Sequence, residues 1–167
     1  MQHLTTRRNA LRATGAILAG SAIVGTGSAA SSPRNFSAHL TGAAHDLGRE
    51  DTLARGQANF QARGDTVDFR LLVANVEDVT MGHIHHDSVT GPVSVWLHDF
   101  DSGAPALVAG RVDGVLATGT ITDDEVGGPI DSVAELVDEI DAGNAFVNVH
   151  TQEFGGGEIG GQIRPRN

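Results

Sequence analysis

The stretch at residues 79–100, VTMGHIHHDSVTGPVSVWLHDF, decides the fold, and it holds four of the eight histidines and the only tryptophan. Side chains on an extended strand point alternately to opposite faces, so Met81, His83 and His85 share one face. Two histidines at i and i+2 lie about 7 Å apart along a strand, close enough to contact one ion. Because histidine is the commonest metal ligand among side chains, the pattern predicts a β-strand that carries two candidate ligands.

The charge of the chain is strongly unbalanced. All 11 basic residues are arginines, against 21 acids, for a net charge of −10 over 167 residues. The first thirty residues contain three arginines and no acid, which leaves −13 on the rest. An acidic surface of this kind disfavours nucleic acid as a partner. Excess carboxylate without lysine is typical of proteins that work in concentrated salt, where ions screen the repulsion.

The chain contains no cysteine. Disulfides, thiolate zinc sites and a cysteine nucleophile are therefore excluded. A lipid anchor attached to cysteine is excluded for the same reason. The length of 167 residues suits one domain with a substantial core.

Residues 1–30 have the pattern of a twin-arginine signal peptide. Arg7 and Arg8 precede an apolar run at 13–24, and small residues at 28–30 offer a cleavage site. The apolar run is shorter than the roughly 20 residues that a transmembrane helix needs. We therefore expect a protein exported by the twin-arginine route to the cell surface or the medium, without a transmembrane segment in the mature chain. Retention of the apolar run as an anchor is left open. Residues 31–35 are read as a short linker and 36–167 as one β domain.

The remaining sequence alternates with period two over many short segments. Segments at 36–42, 57–63, 66–73, 79–86, 93–100, 144–151 and 158–164 are predicted strands, with Gly64-Asp65 as a hairpin turn. A second hairpin is predicted around Asp113-Gly114, between strands at 107–112 and 115–122. This spacing is typical of an all-β fold: an antiparallel, Greek-key-like sandwich or barrel of about eight strands.

One short surface helix interrupts the strands at about 131–142. Ile130, Val133, Leu136, Val137 and Ile140 follow the spacing of a buried helical stripe. The sequence from Ser132 to Glu135 predicts a capping box, and Gly143 fits just past the end of the helix. We expect this helix to be structural.

The order of several motifs resembles the CHRD domain, a chordin-type repeat that also occurs singly in exported prokaryotic proteins. The resemblance covers essentially everything from Phe36 onward, so this chain is similar to the single-domain exported members. It implies an all-β domain that binds ligands at the cell surface or in the matrix, and it implies no established reaction. The motifs that carry it are FSAHLTG at 36–42, MGHIH at 81–85, GPV at 91–93, GTIT at 119–122, AGNAFVNVHT at 142–151 and GEIGGQI at 157–163.

The strongest candidate for chemistry is a metal site. His83 and His85 share a strand face, and His150 lies in a distant strand that belongs to another matching motif. If the two strands are neighbours, three imidazoles converge, a set that suits zinc or copper. Met81 on the same face offers a fourth, soft ligand that copper(I) accepts. Candidate residues that would orient these ligands by hydrogen bonding are Asn148, Glu158 and Gln162.

Two other interpretations of the histidines are open. They could form a hydrogen-bonded polar cluster that fixes strand register. They could also belong to a dismutase-like copper or zinc redox enzyme, although the absence of cysteine weighs against this. In the predicted alternation His86 and His98 fall on the opposite strand face, so they are weaker candidates for metal ligands. No catalytic residue is predicted, and the sequence favours a binding or structural module, with an extracellular or cell-surface ligand that it does not identify, over an enzyme.

Overall fold

The computed structural model of the protein describes residues 32–44, 47–98 and 106–166. The predicted signal peptide at 1–30 lies outside the described residues, as do Ser31 in the linker and Asn167 at the end of the chain. In the described part, no helix is long and apolar enough to span a bilayer.

The described chain is built mainly of β-strands. The prediction of an antiparallel all-β fold is confirmed, because eight strands form one antiparallel sheet that closes into a barrel, with one short α-helix. The strands are β1 (Arg34–Thr41), β2 (Arg55–Arg63), β3 (Thr66–His86), β4 (Val93–His98), β5 (Val108–Ile121), β6 (Ala145–Thr151), β7 (Ile159–Gln162) and β8 (Arg164–Pro165); the helix is α1 (Val133–Ala142), preceded by a 3-10 turn at Asp123–Glu125.

The 21-residue strand β3 closes the barrel because each of its halves has different neighbours. Its first half pairs with β2 on one side and β5 on the other. Its second half pairs with β6 and β4. Since β1 joins β2 to β7, and β7 pairs with β6, the ring β1–β2–β3–β6–β7 is continuous. Irregularities around Asn75 and Asp78, both with positive φ, separate the two halves of β3.

The predicted division into strands is wrong in two places. The segments at 66–73 and 79–86 are parts of one strand, and the predicted hairpin at Asp113-Gly114 is absent, since β5 runs through it while paired with β3. Gly114 has φ 128° and lies opposite Val73, beside two register shifts. A glycine at a bulge and a glycine in a turn look alike in sequence, because both use backbone conformations that other residues avoid.

The hairpin turn at Gly64 and both ends of the helix are confirmed, while the predicted capping box is only half formed. Gly64 has φ 63° in the turn that joins β2 to β3. The side chain of Ser132 caps α1 by accepting from the amide of Glu135, and Gly143 ends the helix in the left-handed conformation with φ 84°. The capping box is incomplete, because the Glu135 carboxylate accepts from the amide of Asp131 rather than that of Ser132.

The second half of β3 and its partner β6 have two buried faces of different character. Ile84, Val147 and Val149 point into the main hydrophobic core. Phe146, on the other face of β6, belongs to a separate small cluster with Leu47 and Val89. Leu47 and Val89 come from the segments that follow β1 and β3. Loops therefore cover the outer face of this part of the barrel, which is the face that carries the histidines.

Candidate metal centre

The pairing of β3 with β6 brings His83, His85 and His150 together. In this register Met81 lies opposite His150, and His83 lies opposite Asn148. The ring centroids are 5.0 Å apart for His83 and His150, 5.3 Å for His83 and His85, and 5.9 Å for His85 and His150. One ring nitrogen from each histidine lies within 4.8 Å of the other two. The three side chains are buried, with exposed fractions of 3%, 5% and 7%.

Backbone carbonyls define which ring nitrogens carry protons. His85 Nδ1 lies 2.7 Å from Gly91 O, and His150 Nδ1 lies 3.0 Å from Gly155 O. A carbonyl can only accept, so both Nδ1 atoms donate, and in the neutral ring each Nε2 keeps a free lone pair. His83 Nδ1 lies 3.3 Å from His150 Nε2. With these tautomers His83 Nδ1 donates to His150 Nε2, and an ion bound at His150 Nε2 would replace that hydrogen bond. The Nε2 atoms of His83 and His85 are buried and have no hydrogen-bond partner among the described residues.

The environment keeps the three imidazoles neutral. The pKa of His83 is lowered from 6.5 to about 3, mainly by burial and then by the neighbouring His150, His85 and His98. Burial also lowers the pKa of His85 and of His150, against the opposing effect of their carbonyl hydrogen bonds. Neutral imidazole is the form that binds metal ions. The cluster is therefore in its ligand form over the physiological pH range.

Asn148 connects the two loops that contact the histidines. Its Nδ2 lies 2.9 Å from Val89 O and 3.4 Å from Gly156 O, and it is completely buried. The first loop also supplies the Gly91 carbonyl and the second supplies the Gly155 carbonyl. At Gly157, which has φ 111°, an added methyl group would overlap the Asn148 amide. Asn148 thus holds both carbonyl-bearing loops against the sheet without contacting an imidazole through a hydrogen bond.

The other residues that the sequence singled out lie around the cluster. Glu158 accepts a 2.6 Å hydrogen bond from Thr52, and Gln162 donates to the Gly143 carbonyl at 2.5 Å. Within the described chain neither forms a hydrogen bond with a histidine ring. Met81 is half-buried, at the strand position opposite His150.

Trp96 was not recognised as a neighbour of the cluster from the sequence. It pairs with His83 across β3 and β4, and its ring packs edge-on against that imidazole, with centroids 4.3 Å apart. His98 and His86 have hydrogen-bond or charge partners outside the cluster: His98 Nε2 lies 2.7 Å from Ala106 O, and His86 contacts Asp87 and Glu139. The alternation of side chains predicted which residues share a strand face, but it did not predict which strand lies beside β3.

The fold and the site define a class of protein: a single-domain antiparallel β-barrel with a buried cluster of three neutral histidines under its loops. A comparison with protein-family models matches residues 36–163 to the CHRD domain. The chain belongs to the CHRD-domain family, as the motifs predicted. No curated protein and no solved structure matches the chain.

The depressed pKa of His83 predicts how the stability of the metal-free protein depends on pH. The unfolded chain binds a proton near pH 6.5, whereas the folded chain binds it only near pH 3. The free energy of unfolding should therefore be highest above pH 6.5 and should fall as the pH drops toward 3. The fall is at most about 1.4 kcal/mol per pH unit for each histidine whose pKa is lowered by folding. Urea denaturation of chelator-treated protein at a series of pH values measures this slope. The slope should be shallower in His83→Gln than in the wild-type protein; equal slopes in the two proteins would contradict the assignment.

Proposed function

We propose that the protein is an exported binding module whose three buried histidines hold a zinc or copper ion. The observation that carries this proposal is the hydrogen-bonding pattern of the cluster. His85 and His150 each donate Nδ1–H to a backbone carbonyl, and the Nε2 atoms of His83 and His85 are left buried and unpaired. Metal-binding histidines usually donate the second ring nitrogen to a carbonyl or carboxylate, which fixes the tautomer and orients the ring.

A metal accounts for the cluster better than a purely structural role in fixing strand register. A buried polar atom without a partner costs about 1–3 kcal/mol. Here the unpaired atoms are acceptors, namely two imidazole nitrogens and Asn148 Oδ1. A hydrogen-bonded cluster would have to pair these atoms with one another, but two acceptors cannot form a hydrogen bond. A cation near the two imidazole nitrogens would remove the cost at both.

The separation of the nitrogens is close to what a metal requires. Ligand bonds of about 2.0–2.1 Å in tetrahedral geometry place neighbouring nitrogens about 3.4 Å apart. The three candidate nitrogens lie within 4.8 Å of one another, so modest rotations of the rings would bring them to that spacing. Three imidazoles leave one position open on a tetrahedral ion, for Met81 in a copper(I) site or for an external ligand in a zinc site.

A dismutase-like redox function is not favoured. The chain lacks the cysteines of such enzymes, and the cluster holds three histidines rather than a larger set with a bridging ligand. The CHRD domain implies binding rather than a reaction, and this supports a binding role at the cell surface or outside the cell. The twin-arginine motif, the apolar run and the small residues at 28–30 support export.

The metal proposal predicts a stoichiometric ion. Protein purified without chelator should contain about one zinc or copper ion per chain, measured by elemental mass spectrometry. His150→Gln should weaken binding by more than about 100-fold in chelator competition, since even residues outside the ligand set commonly contribute 10–100-fold. His86→Gln is the matched control and should bind as the wild type does. Metal-free protein that gains no thermal stability from either ion would contradict the proposal.

The position of Asn148 predicts an effect on the same affinity without the loss of a ligand. Asn148→Ala should weaken metal binding by about 10–100-fold, because the loops that carry the Gly91 and Gly155 carbonyls would no longer be held to the sheet. Asn144→Ala is a matched control, since that side chain donates to Glu139 beside the helix. Chelator competition with both folded variants tests the prediction, and equal affinities would show that Asn148 does not position the ligands.

The export proposal is tested in a host that has the twin-arginine route. Replacing both Arg7 and Arg8 by lysine should retain the full-length precursor inside the cell, because that route requires the arginine pair. Arg12→Lys, in the same segment, should be exported normally and yield a chain that starts near residue 31. Immunoblots of cell and external fractions, with N-terminal sequencing, give the result. Normal export of the double variant would rule out this route.

A further inference from the structure

A groove of about 560 Å³ lies on the outer face of β2 and β3, and it shares no residue with the histidine cluster. In the antiparallel register Gln57 lies opposite Leu72, and Asn59 lies opposite Arg70. Arg55 lines one end, while the half-buried Leu72 and Ala74 supply apolar surface. The groove thus combines two guanidinium groups, two amide side chains and an apolar floor.

The charge of this groove is opposite to that of the protein. The chain carries a net charge of −10, yet no aspartate or glutamate lines the groove. Two other surface pockets in the described chain contain acidic residues, Asp51 and Glu153 in one and Glu77 and Asp78 in the other. The groove is therefore a locally cationic surface on an acidic molecule.

Arg70 is available to a ligand. Its side chain is exposed and has no hydrogen bond or ion pair with any residue in the described ranges 32–44, 47–98 and 106–166. The acids nearest in register have other partners: Asp68 accepts from Thr120, and Asp113 pairs with Arg111. Arg55, in contrast, is fixed at the groove end by donating to the carbonyls of Thr52 and Ala54.

The backbone around the groove limits what kind of ligand fits. Strand β2 lies between β1 and β3, and the first half of β3 lies between β2 and β5. The ladder hydrogen bonds of these strands are already formed, so a peptide cannot add as a further strand here. Recognition must come from side chains. Asn59 Oδ1 accepts from Gln57 at 2.9 Å and from Arg166 at 3.3 Å, which leaves the Gln57 carbonyl and the Asn59 amino group without a partner among the described residues.

We propose that the groove binds a short acidic oligosaccharide that carries uronic-acid carboxylates. Arg70 pairs with a carboxylate through charge-assisted hydrogen bonds. The free amide groups of Gln57 and Asn59 bind sugar hydroxyls, which both donate and accept. The carbon face of a sugar ring lies on Leu72. The inference does not depend on a metal in the histidine cluster, since the two sites share no residue.

Isothermal titration calorimetry with a hexamer of galacturonic acid tests this proposal, with the fully methyl-esterified hexamer as the uncharged control. Wild-type protein should bind the acid form and not the ester. Arg70→Gln should weaken binding by about tenfold, the effect of one charge-assisted hydrogen bond. Arg164→Gln is the matched control, because Arg164 is exposed, lies outside the groove and has no described partner.

Three results would overturn the proposal. The first is no binding of the acid hexamer by wild-type protein, or equal binding of the ester. The second is an equal loss of affinity in Arg70→Gln and Arg164→Gln, which would indicate attraction by charge alone. The third is tighter binding of hexaglutamate or of a short thymidine oligonucleotide, which would assign the groove to an acidic peptide or to a phosphate backbone.

Discussion

The antiparallel register between β3 and β6 is the constraint on which the candidate site depends. It sets His150 opposite Met81 and therefore diagonal to His83, so that the two rings face each other from strands 67 positions apart in sequence. A slip of one residue would turn the imidazoles of one strand toward the core. The apolar residues on the inner face, such as Ile84, Val147 and Val149, prevent that slip because they must remain buried.

The tautomers of the buried histidines depend on the loops that cover them. Each loop supplies one carbonyl to one imidazole, and Asn148 donates to the backbone of both loops from the sheet below. The pKa of His83 falls to about 3 because the ring has little access to water and lies among other imidazoles. The Nε2 lone pairs of His83 and His85 are buried and have no partner among the described residues, and the proposal of a metal rests on this condition.

Two surfaces of one barrel thus have different chemistry. The second half of β3 carries the histidine cluster under its loops, while the first half, with β2, forms the open groove that contains Arg70. The irregularities near Asn75 and Asp78 divide the strand between these two parts. Because β3 belongs to both, one strand positions the proposed metal centre and the proposed oligosaccharide groove in one small domain.

The amino-acid sequence by itself determined the all-β class, the helix with its Ser132 cap and Gly143 end, the CHRD family and the shared face of His83 and His85. These follow from local alternation, capping and turn chemistry, which extend over only a few residues. The tertiary structure alone decided that β3 is one continuous strand, that Asp113-Gly114 is part of β5, and that Trp96 packs on His83. It also decided that Gly91 and Gly155 supply the carbonyls for His85 and His150. Which strands become neighbours, and which loops cover them, depends on contacts between residues that are distant in sequence. Alternation with a period of two does not indicate which strands pair.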